Sequence, residues 1–213
     1  MQYSGKSMII SNKDKLLIKN LITQAENRTQ SEIVPMITHH SDIYPAAHFR
    51  AAIICSFLFS LGLYFSPLNF INPIYFLWIQ IPGLYVGYFL GHFSFFKRLL
   101  ITKDEINLEV NQKAYEAFFH HNLHLTENHT GVLILISIME KKIKILTDVG
   151  ISKKVDQKIW DEIIFQFTNK IKQGHFVEGL AQSIESVTAV LETYFPSTGE
   201  KTNELSNELI IEE

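Results

Sequence analysis

Charged residues are missing from Ala51 to Phe96: no Asp, Glu, Lys or Arg occurs anywhere in that run. So long an uncharged stretch excludes an ordinary amphipathic surface helix, which needs a charged or polar face against water. Cysteine is nearly absent as well. Cys55 is the only one, inside the uncharged run, so one chain can form neither a disulfide framework nor a cysteine-built metal site. A reducing compartment is compatible with this usage.

Excess positive charge is also lacking. The net charge is −3, and Ser197–Glu213 alone carries five acids and one lysine, leaving the remainder at +1 (−3 minus −4). That balance excludes nucleic acid as an expected partner. No Gly-x-Ser-x-Gly elbow, phosphate loop or dinucleotide fingerprint occurs, so the common nucleophile and nucleotide motifs are out. No secretory apolar region follows Met1–Lys6.

What is present begins with the uncharged run itself, which is too long for one membrane span and suits two. A bilayer core of roughly 30 Å takes about 20 helical residues per crossing. Residues 46–65 and 73–92 each supply that length, separated by the turn-rich Ser66-Pro67-Leu68-Asn69-Phe70-Ile71-Asn72-Pro73. The sequence predicts a transmembrane helical hairpin over residues 44–96. Gly83, Gly87 and Gly91 repeat every four residues, as do Ala52, Ser56 and Ser60. Small residues at this spacing let two backbones approach closely. An antiparallel pairing of 52 with 91, 56 with 87 and 60 with 83 centres the turn in the predicted loop. The glycine stripe could instead serve dimerisation.

Arg50 precedes the hairpin and Lys97, Arg98 and Lys103 follow it, while the loop is uncharged. By the positive-inside rule both ends are cytoplasmic. The expectation is an integral multi-pass protein of a bacterial inner membrane with cytoplasmic termini. Tyr64, Tyr75 and Trp78 would form the outer aromatic belt. The expected partners are the lipid bilayer and a membrane protein or further copies of the chain.

The flanking sequence reads as an α/β domain. A helix capped by Ser11 or Asn12 runs to about Asn27, with Leu16, Leu17, Leu21, Ile22 and Ala25 on one face. Glu32–Thr38 is a strand whose Pro35 suggests an edge or a bulge. Thr102 and Glu105 make a capping box for a helix running to about His124. Gly131–Ile138 is a continuous apolar run, expected as a central strand, and Ile143–Thr147 alternates as an antiparallel partner. Two amphipathic helices follow, over Asp156–Lys172 and Phe176–Phe195. The acidic 197–213 tail is expected to be disordered, or to dock a short helix through Leu205, Leu209 and Ile210. A crossover makes the Glu32 and Gly131 strands parallel, with the hairpin leaving from the carboxyl end of the first. Open α/β sheets bind ligands along that edge.

Chemistry-bearing residues are sparse. Asp148, an acid at a strand end before Gly150, is the candidate for catalysis. Its plainer role is to accept backbone N–H groups in a turn. Glu116, His120 and His124 lie four apart and are the candidate metal ligands, though a third ligand at a recognised spacing is missing and a solvated helix face explains them. His39, His40 and His92 read as polar residues at the membrane boundary.

Gly131–Ser137 followed by Ile145–Ile151 resembles the TPM domain family, also called the TPM phosphatase family. Ala25-Glu26, Ser31–Val34, Trp160 and Phe176–Leu180 carry the same resemblance, over about residues 12–196. It is similar to the membrane-embedded branch of that family. The resemblance implies a three-layer α/β/α sandwich with a small mixed sheet, here interrupted by the transmembrane hairpin. The expected parts are the first helix and strand at 11–43, the hairpin at 44–96, the rest of the domain at 97–196 and the tail at 197–213. Some family members are acid phosphatases or bind Ca²⁺. Secreted members carry paired Asp residues at the start of the first helix, where this chain has Ser11-Asn12-Lys13-Asp14-Lys15. No cofactor or metal is therefore expected, and Ca²⁺ or Mg²⁺ enters only through the resemblance. The expected function is a membrane-anchored cytoplasmic TPM-like domain acting through membrane-protein partners in assembly, maintenance or scaffolding. The alternative is a membrane-tethered phosphatase or divalent-metal-binding hydrolase. A third option is a hairpin oligomer that perturbs or gates the membrane.

Overall fold

The structure, a computed structural model, describes residues 10–67, 72–199 and 204–212. It divides into two units, residues 1–39 with 111–213, and residues 40–110.

The first unit opens with α1 (Asn12–Arg28). Ser11 caps it: the Asp14 N–H donates to the Ser11 hydroxyl, and the Ser11 N–H donates back to the Asp14 carboxylate, both at 3.2 Å. Ile18, Ile22 and Ala25 form its buried stripe, whereas Leu16 and Leu17 are exposed. The expected face was therefore rotated. The Ile18–Ile22–Ala25 spacing follows the helical period, while adjacent Leu16 and Leu17 cannot both join it.

β1 (Glu32–Thr38) pairs in parallel with β2 (Gly131–Ser137), Glu32 opposite Gly131 and Thr38 opposite Ser137, and every residue of both strands is buried. β3 (Lys142–Thr147) runs antiparallel to β2. β4 (Ile210–Glu212) runs parallel to β1 over Met36–Thr38, giving a mixed sheet ordered β3-β2-β1-β4.

Two expectations are corrected by β4. The tail is not disordered at Ile210–Glu212, and no docking helix forms there. Leu209 packs against the core, and the three residues after it complete the sheet. β1 is consequently not an edge strand along its whole length. Its N–H groups alternate sides: Glu32 donates to Thr130, beside β2, and His39 donates to Glu212, in β4. Pro35 shares His39's parity, so its missing N–H falls on the β4 side, just before the Met36–Ile210 pairing begins. The ring sits where no ladder donor is required.

One sheet face carries Ile33, Ile37, Val132, Ile134 and Ile136 into a common core with α1, α8 (Gln157–Lys172) and α9 (Phe176–Tyr194). Asp156 caps α8 by accepting from the Lys158 N–H at 2.9 Å. Trp160 and Phe167 of α8 and Leu180, Ile184 and Leu191 of α9 are fully or almost fully buried, each such side chain contributing about 1.5–3 kcal/mol by leaving water. A Cβ on Gly179 would stand 2.9 Å from both Lys170 Cβ and Phe167 Cδ2. Glycine there lets α9 close onto α8. Tyr194, the last residue of α9, is 41% exposed. The opposite sheet face buries Val34, Met36, Leu133 and Leu135.

In the second unit, α2 (Pro45–Phe65) is 21 residues long and is long and apolar enough to cross a membrane. Pro45 suits the first helical position, where no N–H partner is needed. The expected second span is not one helix. It is α3 (Ile74–Trp78) and α4 (Gln80–Leu90), and α5 (Ser94–Leu100) then departs at a bend of 103° from the Ile74–Leu90 direction. Pro82 has no N–H to donate to the Trp78 carbonyl, so the ladder breaks there. Taken together with α5 across that bend, the segment has the length and apolarity of a broken span. Loop residues 68–71, and with them the expected turn centre, lie outside the described residues.

α6 (Lys103–His120) crosses the boundary between the units. Beyond Asn111 it buries Ala114, Ala117 and Phe118. α7 (Val149–Ser152) is a single turn after β3.

Candidate functional site

Three places hold the residues singled out by sequence: the α2–α4 contact, the His120–His124 region and the end of β3.

At the α2–α4 contact the glycine stripe faces the small-residue stripe, one helical turn out of the expected register. A Cβ on Gly83 would stand 2.7 Å from Ser56 Cα, and one on Gly87 would stand 2.6 Å from Ala52 Cα. One on Gly91 would stand 2.8 Å from His48 Cα and 3.1 Å from its Nδ1. Gly91 thus receives the His48 imidazole rather than Ala52. Ser60 is left out of the stripe, and its hydroxyl donates to the Phe76 carbonyl at 3.2 Å. A four-residue repeat matches itself after a slide of one turn, so spacing alone could not choose between registers. His48, which sequence reasoning missed, is buried and stacks edge-on with His92 at a ring separation of 4.4 Å, with Tyr88 at 5.5 Å.

The outer faces of the same helices are apolar and open. Ile53, Phe57 and Leu58 of α2 are 53–66% exposed, and Tyr85 and Phe89 of α4 are 75% and 65% exposed. At the base of α2, Arg50 reaches Glu105 with two parallel bonds of 2.7 and 2.8 Å and also donates to the Leu100 carbonyl at 2.8 Å. Glu105 is at the same time the capping-box partner of Thr102, accepting its N–H at 2.8 Å. The Arg50 bonds, then the Thr102 N–H, hold the Glu105 carboxyl down at about 2. The capping box was legible from sequence; Arg50, 55 residues away, was not.

Glu116, His120 and His124 do not form a helical row. α6 ends at His120, Asn122 adopts a left-handed φ of 59°, and His124 lies in a short 3₁₀ turn, Leu123–Leu125. The four-residue spacing presumes a helix that stops too soon. Glu116 and His120 are exposed, while the His124 ring packs 4.9 Å from Phe119. Neighbouring His121 is pushed below the ordinary imidazole value by burial and then by His120. Among the described residues no three His, Cys, Asp or Glu side chains are grouped as a metal site.

Asp148 is the N-cap of α7, accepting the Val149 N–H at 2.6 Å. The turn role weighed from sequence is thus present. Beyond it, Asp148 Oδ2 lies 3.2 Å from His129 Nδ1, with the carboxylate 11% and the imidazole 58% exposed. His129 is held at a left-handed φ of 52°, and its carbonyl accepts the Gly150 N–H at 3.1 Å. A Cβ on Gly150 would stand 2.7 Å from the Asn128 carbonyl oxygen, so this close approach requires glycine. An imidazole whose Nδ1 faces a carboxylate and whose ring is open to water can exchange protons. No sequence spacing links positions 129 and 148.

Residues 98–190 match the family model for the TPM domain. The match runs from residue 98 to residue 190, so α1 and the strands β1 and β4 lie outside it. The fold is similar to the NMR structure of BA42 protein from the psychrophilic bacterium Bizionia argentinensis. That similarity has a TM-score of 0.60 at 18% identity and covers 99% of each chain. At this identity the likeness speaks for the fold. No curated protein matches the chain. Within this α/β fold and its four-stranded mixed sheet, residues 98–190 carry the similarity to the TPM domain.

Proposed function

We propose that the chain is a membrane-anchored cytoplasmic domain that acts through membrane-protein partners, in an assembly, maintenance or scaffold role. The observation that carries this reading is the inverted polarity of the α2–α4 pair. Glycine, alanine and serine meet at its centre, while Phe57, Tyr85 and Phe89 point outward. A water-soluble helix pair buries such side chains, and exposed apolar surface of this extent calls for lipid or protein cover. Exposed Tyr64, Tyr75 and Trp78 near the loop suit a membrane–water boundary. On this reading residues 44–96 form a spanning hairpin with both ends in the cytoplasm, and the sheet belongs to a three-layer α/β/α domain. Crosslinking in native membranes followed by purification in mild detergent tests it. Repeated recovery of the same additional membrane protein supports the reading, and repeated recovery of a partnerless monomer overturns it.

A second reading, a membrane-tethered phosphatase or divalent-metal-binding hydrolase, draws on the Asp148–His129 pair. It requires hydrolysis of a generic phosphomonoester with Ca²⁺ or Mg²⁺, lost in a folded Asp148→Asn chain.

A further inference from the structure

The C-terminal strand is a visitor on the sheet. β4 comprises three residues, pairs only with Met36–Thr38 and leaves the preceding half of β1 without a strand on that side. The tail that carries it is fastened at Glu204, whose carboxylate accepts the Glu127 N–H at 3.1 Å, and by ion pairs nearer the strand. Lys19 Nζ lies 3.1 Å from Glu208, both well exposed, and Lys113 Nζ lies 2.7 Å from Glu212, with Lys113 17% and Glu212 46% exposed. Asn207 adds a hydrogen bond to the Thr23 hydroxyl at 3.1 Å. The exposed Lys19–Glu208 pair holds weakly. Ile211, in the middle of the strand, is 42% exposed, and Leu209 packs against the core while itself partly buried.

The surface it covers is built to be covered. Each residue of β1 is buried, and without β4 its main-chain groups at Ile37 and His39 would form an open sheet edge. Such edges recruit extended segments. Lys19 and Lys113 flank this edge, so the segment that fits is extended, apolar at its centre and acidic at both ends. Glu208-Leu209-Ile210-Ile211-Glu212 has that pattern.

We propose that the β1 edge is a strand-exchange site between two copies of this chain, each seating its Glu208–Glu212 segment on the other's β1. A segment seated in the second copy makes the same main-chain bonds and ion pairs as one folded back on its own chain, which is the condition for exchange at little cost. From Ser197 to Leu209 no described residue belongs to a helix or strand, so no described element other than the three-residue β4 has to be dismantled. The inference does not depend on the hairpin crossing a bilayer.

Charge exchange at the Lys113–Glu212 pair tests it on the full-length chain in detergent. Lys113→Glu places two acids at the site and Glu212→Lys places two lysines there, so each variant opposes its own strand. Mixed, they complement in both directions: the Glu212 of the first meets the Lys113 of the second, and the new lysine meets the new glutamate. A tagged Lys113→Glu chain is expected to retain an untagged Glu212→Lys chain on the order of tenfold more than an untagged copy of itself. No gain on mixing overturns the proposal. Should either variant fail to fold, disulfide trapping replaces it, with Thr38→Cys and Glu212→Cys placed on separate Cys55→Ser chains. A disulfide between the two chains supports exchange. Crosslinking only when both cysteines share one chain overturns it.

Discussion

Gly87 lies against Ala52 so closely that a Cβ on the glycine would stand 2.6 Å from the alanine Cα. The obstructing atom is backbone, which cannot swing aside. Gly87→Val should therefore destabilise the second unit by roughly 1–3 kcal/mol, the usual cost of overpacking. Gly62, on the same helix as Ala52, has nothing within 4 Å of its Cβ position, and Gly62→Val should be close to neutral. Thermal unfolding of both variants in one detergent checks the contrast.

The Arg50–Glu105 pair gives a pH signature. Its partners lower the Glu105 carboxyl from 4.5 to about 2. A folded value below the unfolded one means stabilisation that is present above 4.5 and lost as pH falls from 4.5 toward 2. Glu105→Gln should lower the unfolding midpoint at neutral pH, and the gap from the unaltered chain should close across that window. A gap that is constant with pH would show that the carboxylate charge is not what stabilises the fold.

His121 reports on β4. Burial lowers its titration below 6.5, while the Glu212 carboxylate raises it. Removing that charge by Glu212→Gln leaves the imidazolium with less support, so His121 should titrate lower still. Proton NMR of the His121 ring measures this, and an unchanged titration would place Glu212 elsewhere.

Asp148 separates the two functional readings. As a helix cap, its replacement by Ala costs about 1 kcal/mol, while Asn, itself a good cap, costs less. The scaffold reading predicts that Asp148→Asn leaves partner recovery intact, and no phosphomonoester hydrolysis is expected to depend on it. Divalent-ion-dependent hydrolysis abolished in a folded Asp148→Asn chain would favour the enzyme.

The strands Glu32–Thr38 and Gly131–Ser137 were legible because continuous apolar runs bounded by polar residues leave little choice of structure. The capping box at Thr102 was legible because its partner sits three residues away, while the first helix left its cap open between Ser11 and Asn12. The less legible features were set by distant contacts. The tail's composition reads as solvated chain, and only the open edge of β1, some 170 positions earlier, turns Ile210–Glu212 into a strand. The helix-pair register slid because its repeat is its own period. The His120–His124 row failed at Asn122, whose left-handed backbone ends the helix locally. At the candidate site Asp148 was visible as a turn acid, but His129 reaches it only through the pairing of β2 with β3.

In the proposed topology the α2–α4 hairpin spans a bilayer and the α/β domain lies in the cytoplasm. A membrane-impermeant thiol reagent applied to intact cells tests this most directly, with single cysteines on a Cys55→Ser background. Ser66→Cys, at the loop end of α2, should label from outside. Glu192→Cys, on the exposed face of α9, should label only after the membrane is opened. Protection of both positions, or labelling of Glu192→Cys in intact cells, would contradict the account.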